Sequence, residues 1–306
     1  MPILEVPPER PVDSLTIALL RDVNGACLKL GAQFVLAGTT ARDIQMWHLH
    51  GIKAPVATRD VDVAVCAISW AFYQQLIDEL LSTGRFTRDP KQQQKLIFRR
   101  GEDAFGAQLD LVPFGAIEAL PGEIAWPPEG DIVMTVLGFQ EAVDTARQVN
   151  IGEAVVVPVV GIPAFVLLKL IAWKDRRSRR TSDASDLLFV LRKFFDAGNT
   201  ERVYVEAQDL LEACDFRVEV AAAGMLGRDA RDVARPQTRA AVRAMLQSPE
   251  TRSKLQKDLL ARAATLAFGE FVDDPDDLLA AFTAQFVADG SVDRNGEEGS
   301  GGMTAA

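Results

Sequence analysis

The acidic residues at positions 60 and 62 are the first feature of this sequence whose type and spacing suit catalysis. They lie in the segment Asp60-Val61-Asp62-Val63-Ala64-Val65, and its alternation predicts a strand. Both carboxylates then point to one face, about 7 Å apart, while the valines point to the core. A divalent cation that prefers hard oxygen ligands, such as Mg²⁺, would relieve the repulsion between them. Taken alone, however, the pair is better explained as two solvated acids on an edge strand.

A second predicted strand carries one further acid, Asp110. Leu109 and Leu111 share one face of this strand, and Asp110 takes the other. An acid among apolar residues is costly unless it is paired or bound to a metal ion. If this strand lies beside the Asp60–Asp62 strand, three carboxylates form one cluster, which suits two metal ions that clamp a phosphate chain for in-line displacement. The alternative is a single solvated position in a half-exposed strand.

A glycine at the junction of a predicted strand and a predicted helix supplies the third signal. The apolar run 34–37 ends at Gly38, and a helix follows at once. Free backbone N–H groups at a helix start bind anions, and glycine lets a phosphate come close to the backbone. Arg42 follows the turn; it either pairs with its neighbour Asp43 or faces a bound nucleotide. The glycine is a weak signal alone, but its order with the three acids is specific.

A basic segment in the second half of the chain is the fourth signal. Residues 174–180 carry five basic residues and one acid, a local charge of +4. Lys169 interrupts a strongly apolar helix, so its side chain must reach water or find an anion, such as a phosphate over the acid cluster. We interpret the segment either as a clamp for a triphosphate and an acceptor or as a solvated helix face. Asp183 and Asp186 share one face of a helix and are expected to position Lys and Arg side chains.

Together these motifs resemble the nucleotidyltransferases of the DNA polymerase β superfamily. The sequence is most similar to the AbiEii-type toxins, the minimal nucleotidyltransferase-like proteins of bacterial type IV toxin–antitoxin systems. The resemblance covers residues 15–195 and rests on Gly38-Thr39, Asp60-Val61-Asp62, Asp110 within Asp110–Gly115, and a helical motif with Lys169, Lys174, Arg176 and Asp183-Ala184-Ser185-Asp186. The family usually has Gly or Ser where this chain has Thr39, which keeps a backbone N–H and a hydroxyl.

The resemblance implies a reaction and catalytic residues. Asp60 and Asp62 would hold Mg²⁺ ions, and a two-metal site is expected. Asp110 would complete the metal site and act as base toward the incoming hydroxyl. Lys169 would belong to the catalytic set. The reaction would move an NMP from an NTP to an acceptor hydroxyl and release pyrophosphate.

The same resemblance implies residues that hold the nucleotide. The backbone at Gly38 and Thr39, together with Thr40, would hold its phosphates. Lys174 and Arg176 would be nucleotide-binding cations, and Arg42 is a further candidate from its position after the glycine turn. A cognate antitoxin protein is an implied partner.

The elements that must position these residues predict an α+β fold. We expect a polymerase-β-like nucleotidyltransferase domain with a mixed sheet, followed by an α-helical C-terminal domain. The predicted divisions are an α/β core over 1–130, its continuation with the basic helical motif over 131–195, a helical domain over 196–288 and a disordered tail over 289–306, which is rich in Gly, Ser and acids.

Local signals place several elements within this outline. Strands are predicted at 34–37, 61–66, 95–98, 107–112, 132–136 and 154–157. Helices are predicted to begin at caps formed by Ser14, by Thr39 or Thr40, and by Ser69. Residues 163–195 and 201–287 have helical patterns, the latter punctuated by Gly224, Gly227, Pro236 and Pro249.

Composition limits the classes of function. The chain has 306 residues, 48% hydrophobic and 25% charged, as in an ordinary globular protein. Three scattered cysteines exclude a disulfide scaffold, and no secretory signal or clean membrane span is visible, so we expect a cytoplasmic protein without membrane contact. The net charge of −10 excludes general nucleic-acid binding over the whole surface and leaves the basic segment as the docking patch.

The leading hypothesis is a toxin-type Mg²⁺-dependent nucleotidyltransferase that uses an NTP and acts on RNA, a tRNA end above all, or on a protein. The first alternative is a small-molecule enzyme of the antibiotic-modifying kind, since an acidic protein suits cationic aminoglycosides. The second is an inert nucleotide-binding regulatory module, although the presence of all three acids argues against it.

Overall fold

The computed structural model describes residues 2–55, 60–101, 106–266 and 274–288. The predicted disordered tail, 289–306, lies outside the described residues. The strands are β1 (Leu4–Glu5), β2 (Phe34–Ala37), β3 (Asp60–Cys66), β4 (Phe86–Arg88), β5 (Lys95–Phe98), β6 (Ala107–Phe114), β7 (Glu123–Ala125), β8 (Val133–Thr135), β9 (Arg147–Asn150) and β10 (Val156–Val159). The helices are α1 (Ser14–Leu30), α2 (Gly38–Asp43), α3 (Trp70–Ser82), α4 (Phe139–Asp144), α5 (Ile162–Arg176), α6 (Ser182–Lys193), α7 (Thr200–Glu206), α8 (Gln208–Ala213), α9 (Val218–Val233), α10 (Pro236–Gln247), α11 (Pro249–Leu266) and α12 (Pro275–Val287).

Eight strands form one mixed sheet, so the predicted α+β class is confirmed. Their order is β1-β9-β10-β2-β3-β6-β5-β4, and β7 and β8 form a separate two-stranded sheet. β3 runs parallel to β6 and antiparallel to β2, which makes β3 a central strand rather than an edge. Val61, Val63 and Val65 are buried on it, as the alternation predicts.

Helix starts differ from the predicted caps at two places. Ser69 caps α3 as predicted, and its hydroxyl accepts from Phe72 N at 3.1 Å. The cap of α1 is Asp13 rather than Ser14; an ionised carboxylate accepts from two backbone N–H groups there, which one hydroxyl does less well. The helix after β2 begins at Gly38 without a side-chain cap and continues as a π-helical turn over Ile44–His48.

The rear half is helical as predicted, but its glycines do not break helices. Gly224 and Gly227 both lie inside α9. A Cβ at Gly227 would stand 2.4 Å from the carbonyl oxygen of Phe282, so this glycine lets α9 approach the backbone of α12. Pro236 and Pro249 each stand first in a helix, where a missing N–H costs nothing.

The buried apolar side chains of the sheet and of the rear helices form one contiguous cluster, from Val12 to Phe286. α5 belongs to both parts, since it packs on α6 and α9 and also contacts α2 beside the sheet. Within the described residues, no helix combines the length and the apolar composition that crossing a bilayer requires. The predicted divisions at residues 130 and 195 stay predictions.

Candidate active site

Three carboxylates lie on one face of the two central strands. β3 and β6 are paired in parallel, with Asp62 opposite Asp110 and Asp60 opposite Gln108. Paired residues share a face, so Asp60, Asp62 and Asp110 are all half-buried on one side of the sheet. Leu109 points to the opposite, buried side. The structure therefore brings the three predicted acids together.

The charges of this acid cluster, defined as Asp60, Asp62 and Asp110, disturb one another. Burial raises the pKa of Asp62, the Asp60 charge raises it further, and Lys169 and the other nearby cations act against both. Burial, followed by the charge of Asp62, raises the pKa of Asp110 to about 6. Burial is thus the largest cause of both raised pKa values, and perturbed carboxyl groups of this kind are typical of functional sites.

The donor chemistry of the acid cluster fits Mg²⁺. In the part of the chain that the structure describes, no three acidic, histidine or cysteine side chains stand close enough to enclose a metal ion by themselves. Mg²⁺ is commonly held by one or two carboxylates, with water and substrate phosphates completing the shell. The paired carboxylates of Asp62 and Asp110 match this mode, since a cation would relieve the repulsion between two neighbouring carboxylates.

The turn at Gly38 packs directly on Asp62. Gly38 has φ +64°, and a Cβ there would stand 1.9 Å from Asp62 Oδ2. The start of α2 therefore lies against the acid cluster, where the sequence predicts phosphate binding, with Thr39 half-buried beside it. The role of Thr40 in phosphate binding stays a prediction, and its hydroxyl donates to the Asp60 carbonyl at 2.9 Å. This hydrogen bond links α2 to β3, and it uses the Thr40 hydroxyl proton that a phosphate would otherwise accept.

We expect Gly38→Ala to lower both stability and activity. The methyl group would enter the space of the Asp62 carboxylate at a positive φ, so we expect a loss of about 2 kcal/mol or more in the free energy of unfolding and displacement of Asp62. Gly31→Ala is the matched control, because Gly31 has φ +66° but open space around its Cα. Urea unfolding of both variants measures the difference; equal losses would mean that the contact with Asp62 carries no weight.

Two of the basic side chains predicted to meet phosphates, the buried Lys169 and the partly exposed Arg176, form an ion-pair network between α5 and α6. Lys169 is 6% exposed, and its Nζ lies 2.6 Å from Asp186 Oδ2 and 3.2 Å from Asp183 Oδ1. Arg176 binds Asp183 with two hydrogen bonds of 2.7 and 2.8 Å. Burial alone would raise the pKa of Asp183, but the bonds from Arg176 and the Lys169 charge outweigh it and lower this pKa. Asp183 and Asp186 thus position Lys169 and Arg176, as the sequence predicts.

Arg42 extends this network to α2, where the sequence leaves a pair with Asp43 and a contact with nucleotide as alternatives. Its guanidinium is 4% exposed and is bound by Asp43 at 2.6 Å and by Asp186. A buried guanidinium must be paired, and two carboxylates already pair it. The structure therefore favours the structural alternative for Arg42.

Lys174, another of the predicted nucleotide-binding cations, lies on a different face of α5, and its role stays a prediction. Arg176 follows Lys169 by seven residues and returns to the same helix face, whereas Lys174 follows by five and is turned by about 140°. Lys174 is exposed, and its side chain meets no partner among the described residues. The structure does not bring it to the acid cluster.

Lys95 is a residue of this site that the sequence analysis missed. It lies on β5 opposite Asp110, is 7% exposed, and its Nζ stands 3.6 Å from Asp110 Oδ1. Gln108 Nε2 donates to the same oxygen at 3.3 Å. The available signal was a lysine at the head of the otherwise apolar strand Lys-Leu-Ile-Phe.

Comparison with known proteins places these features in a family. A family model described as the nucleotidyl transferase AbiEii toxin of a type IV toxin–antitoxin system matches residues 21–282. No curated protein matches the chain.

Among solved structures, the chain is similar to an antigenic nucleotidyltransferase-like protein from Paracoccidioides brasiliensis. The two are 14% identical with a TM-score of 0.40, over 66% of this chain and 93% of that one. It is also similar to the antibiotic-resistance factor ANT(2'')-Ia in solution, at 11% identity and a TM-score of 0.36, over 67% of this chain and 98% of that one. A crystal structure of ANT(2")-Ia in complex with adenylyl-2"-tobramycin is 14% identical with a TM-score of 0.35, over 68% and 95% of the two chains.

Proposed function

The chain belongs to the AbiEii nucleotidyltransferase toxin family, and on this premise we propose that it transfers an NMP from an NTP to an acceptor hydroxyl, with Mg²⁺ held at the acid cluster. Family membership makes the chain a nucleotidyltransferase enzyme. It therefore argues against the alternative hypothesis of an inert nucleotide-binding regulatory module. The observation that carries the proposed site is the register pair Asp62–Asp110, with the Gly38 turn packed on Asp62.

In the proposed reaction, the acceptor oxygen bonds to the α-phosphorus while the bond to the oxygen that bridges to the β-phosphate breaks, and pyrophosphate leaves. Mg²⁺, when held by Asp62 and Asp110 beside Asp60 with water and substrate phosphates, would offset the negative charge that builds on the phosphate oxygens. The backbone at Gly38 and Thr39 orients the phosphates over the acids. Asp110 takes the proton of the acceptor hydroxyl in this proposal, because its carboxylate lies beside Asp62 across the strand pair.

In this proposal, Lys169 and Arg176 act through the electrostatic potential that their charges produce at the acid cluster. Both are already bound to carboxylates of α6, so they are fixed in place rather than free to wrap a ligand. Their charges still reach Asp62, where they favour the ionised carboxylate and an anionic substrate. Fixed charges of this kind need no reorganisation during the reaction.

We propose RNA, a tRNA end above all, as the acceptor, with a protein hydroxyl as the second choice. Exposed basic side chains at the α5–α6 junction support RNA, because Lys174, Arg179 and Arg180 lie in water and the Arg180 charge reaches Asp62. A small cationic molecule such as an aminoglycoside is the alternative that the net charge of −10 favours. We propose that the protein acts in the cytoplasm, where NTPs and RNA are found. A cognate antitoxin is its proposed protein partner.

A label-transfer assay tests this function. The protein is incubated with Mg²⁺, each α-³²P NTP in turn, and cell extract or an aminoglycoside, and products are separated by RNase and protease sensitivity. We expect label in RNase-sensitive material from one preferred NTP, loss of label with excess EDTA, and recovery when Mg²⁺ is restored.

Each other result of this assay has a meaning. Protease-sensitive label or label on the aminoglycoside would keep the transferase but replace the proposed acceptor. Transfer that persists in EDTA would contradict the metal site. No label with any nucleotide or acceptor, from folded protein, would contradict the proposal.

A further inference from the structure

Lys95 is a buried cation that touches the acid cluster, and the family motifs in this sequence do not include it. It stands on β5, the strand next to β6, and its register partner is Asp110. Its side chain is 8% exposed, so an ammonium group is held out of water at this point of the sheet. A buried ammonium is retained only where negative charge surrounds it.

The contacts of Asp110 divide its two carboxylate oxygens into different roles. Oδ1 faces Lys95 Nζ at 3.6 Å and accepts from Gln108 Nε2 at 3.3 Å. Within the described residues, no donor is bonded to Oδ2. The two donors therefore hold one oxygen and leave the other for a ligand of the acid cluster.

Lys95 also differs from the other cations near the site. Lys169 and Arg176 are each paired with carboxylates of α6. Among the residues that the structure describes, Lys95 is the one cation in ion-pair contact with any member of the acid cluster. It supplies a positive charge in contact with Asp110, one of the three carboxylates, before any metal ion arrives.

From these contacts we propose that Lys95 is a positioning residue and the resident counter-charge of the acid cluster, which orients Asp110 and weakens the binding of a bare metal ion. The proposal rests on the metal site proposed above. An ammonium beside a ligand carboxylate repels a dication, so the cluster binds metal poorly on its own. The phosphates of a bound NTP add negative charge that outweighs the repulsion from Lys95. The metal ion and the nucleotide therefore bind together.

Mn²⁺ binding measured by electron paramagnetic resonance tests this role without any turnover, because carboxylate sites for Mg²⁺ also take Mn²⁺. The protein, Lys95→Met and Lys95→Arg are titrated with Mn²⁺ at low ionic strength, with and without NTP. We expect Lys95→Met to bind Mn²⁺ about fivefold or more tightly without NTP, from the loss of one repelling charge, and Lys95→Arg to match the unchanged protein. The gain in Mn²⁺ affinity on adding NTP should be smaller in Lys95→Met.

Lys29→Met is the matched control for net charge. Lys29 pairs with Glu79 at 2.7 Å on the surface, so its loss changes the net charge by the same amount without touching the site. We expect it to leave Mn²⁺ affinity unchanged. A second readout is the transfer reaction, in which Lys95→Met should lower kcat while KM for NTP changes little, because Asp110 loses its orientation.

The outcomes separate this inference from the proposed function. Unchanged or weaker Mn²⁺ binding by Lys95→Met, or failure of Lys95→Arg to restore the affinity, would overturn the role of Lys95 and leave the metal site standing. Absence of Mn²⁺ binding by the unchanged protein, with and without NTP, would overturn the metal site and this inference with it. If Lys95→Met does not fold, Lys95→Gln replaces it with the same expected tightening.

Discussion

Asp62→Asn should lower nucleotidyl transfer by at least about 10³-fold while the protein stays folded. The amide has the shape of the carboxylate but lacks the charge that a metal ion requires. Asp62 also lies opposite Asp110 in the strand pair and packs against the Gly38 turn. The substitution therefore removes a negative charge at the centre of the proposed site. The label-transfer assay gives the activity, and circular dichroism with thermal unfolding gives the state of the fold.

The stability of the same variant gives an independent check. A carboxyl whose pKa is raised on folding lowers stability at pH values above its unfolded pKa, and the full cost is reached above its folded pKa. Because burial raises the pKa of Asp62, the metal-free Asp62→Asn protein should have an equal or higher Tm at pH 8 than the unchanged protein. Asp209→Asn, at an exposed pair with Arg228, is the control and should keep full activity. A fall of several degrees in Tm for Asp62→Asn would identify Asp62 as a structural residue instead.

Asp186→Ala should cost about 3–5 kcal/mol in the free energy of unfolding. Asp186 binds both Lys169 and Arg42, and all three side chains are less than a tenth exposed. Removing the carboxylate leaves two buried cations with less compensation, and their desolvation is then unbalanced. Urea unfolding monitored by tryptophan fluorescence measures the loss.

Asp229→Ala is the matched control for that loss. Asp229 also binds an arginine, Arg202, with a distance of 3.0 Å, but this pair lies partly in water. Screening limits such a pair to below about 1 kcal/mol. If the two variants lose similar stability, the network between α2, α5 and α6 does not hold these helices in place.

The sequence predicts the strands and helices of this protein better than it predicts which charged side chains pair with one another. The strands at 34–37 and 95–98 lie where alternation and apolar runs predict them, since each is bounded by polar or glycine residues. The acid positions also followed from alternation, because the side-chain period of a strand leaves no choice of face. The sequence did not predict that β3 and β6 are neighbours; this pairing is seen only in the strand order of the sheet.

The partners of the buried cations could not be read from the sequence. Arg42 meets Asp186 across 144 positions, and no local pattern links them. Whether a lysine such as Lys169 meets a phosphate or a carboxylate depends on which helix packs beside it. Gly227 was misread for a similar reason, since its role is a contact with α12 that lies far along the chain.

The strand order also dictates when the sheet can be completed during synthesis. β10 lies between β9 and β2, and β1 pairs only with β9, whose residues come about 145 positions later. At about 5–20 residues per second, a ribosome needs roughly ten seconds between β2 and β10. Throughout that interval the nascent chain exposes one open edge of β2, next to the strand that carries the acid cluster. Completion of the sheet beside the acid cluster is therefore tied to translation of residue 159 and beyond, well after the acids themselves have emerged.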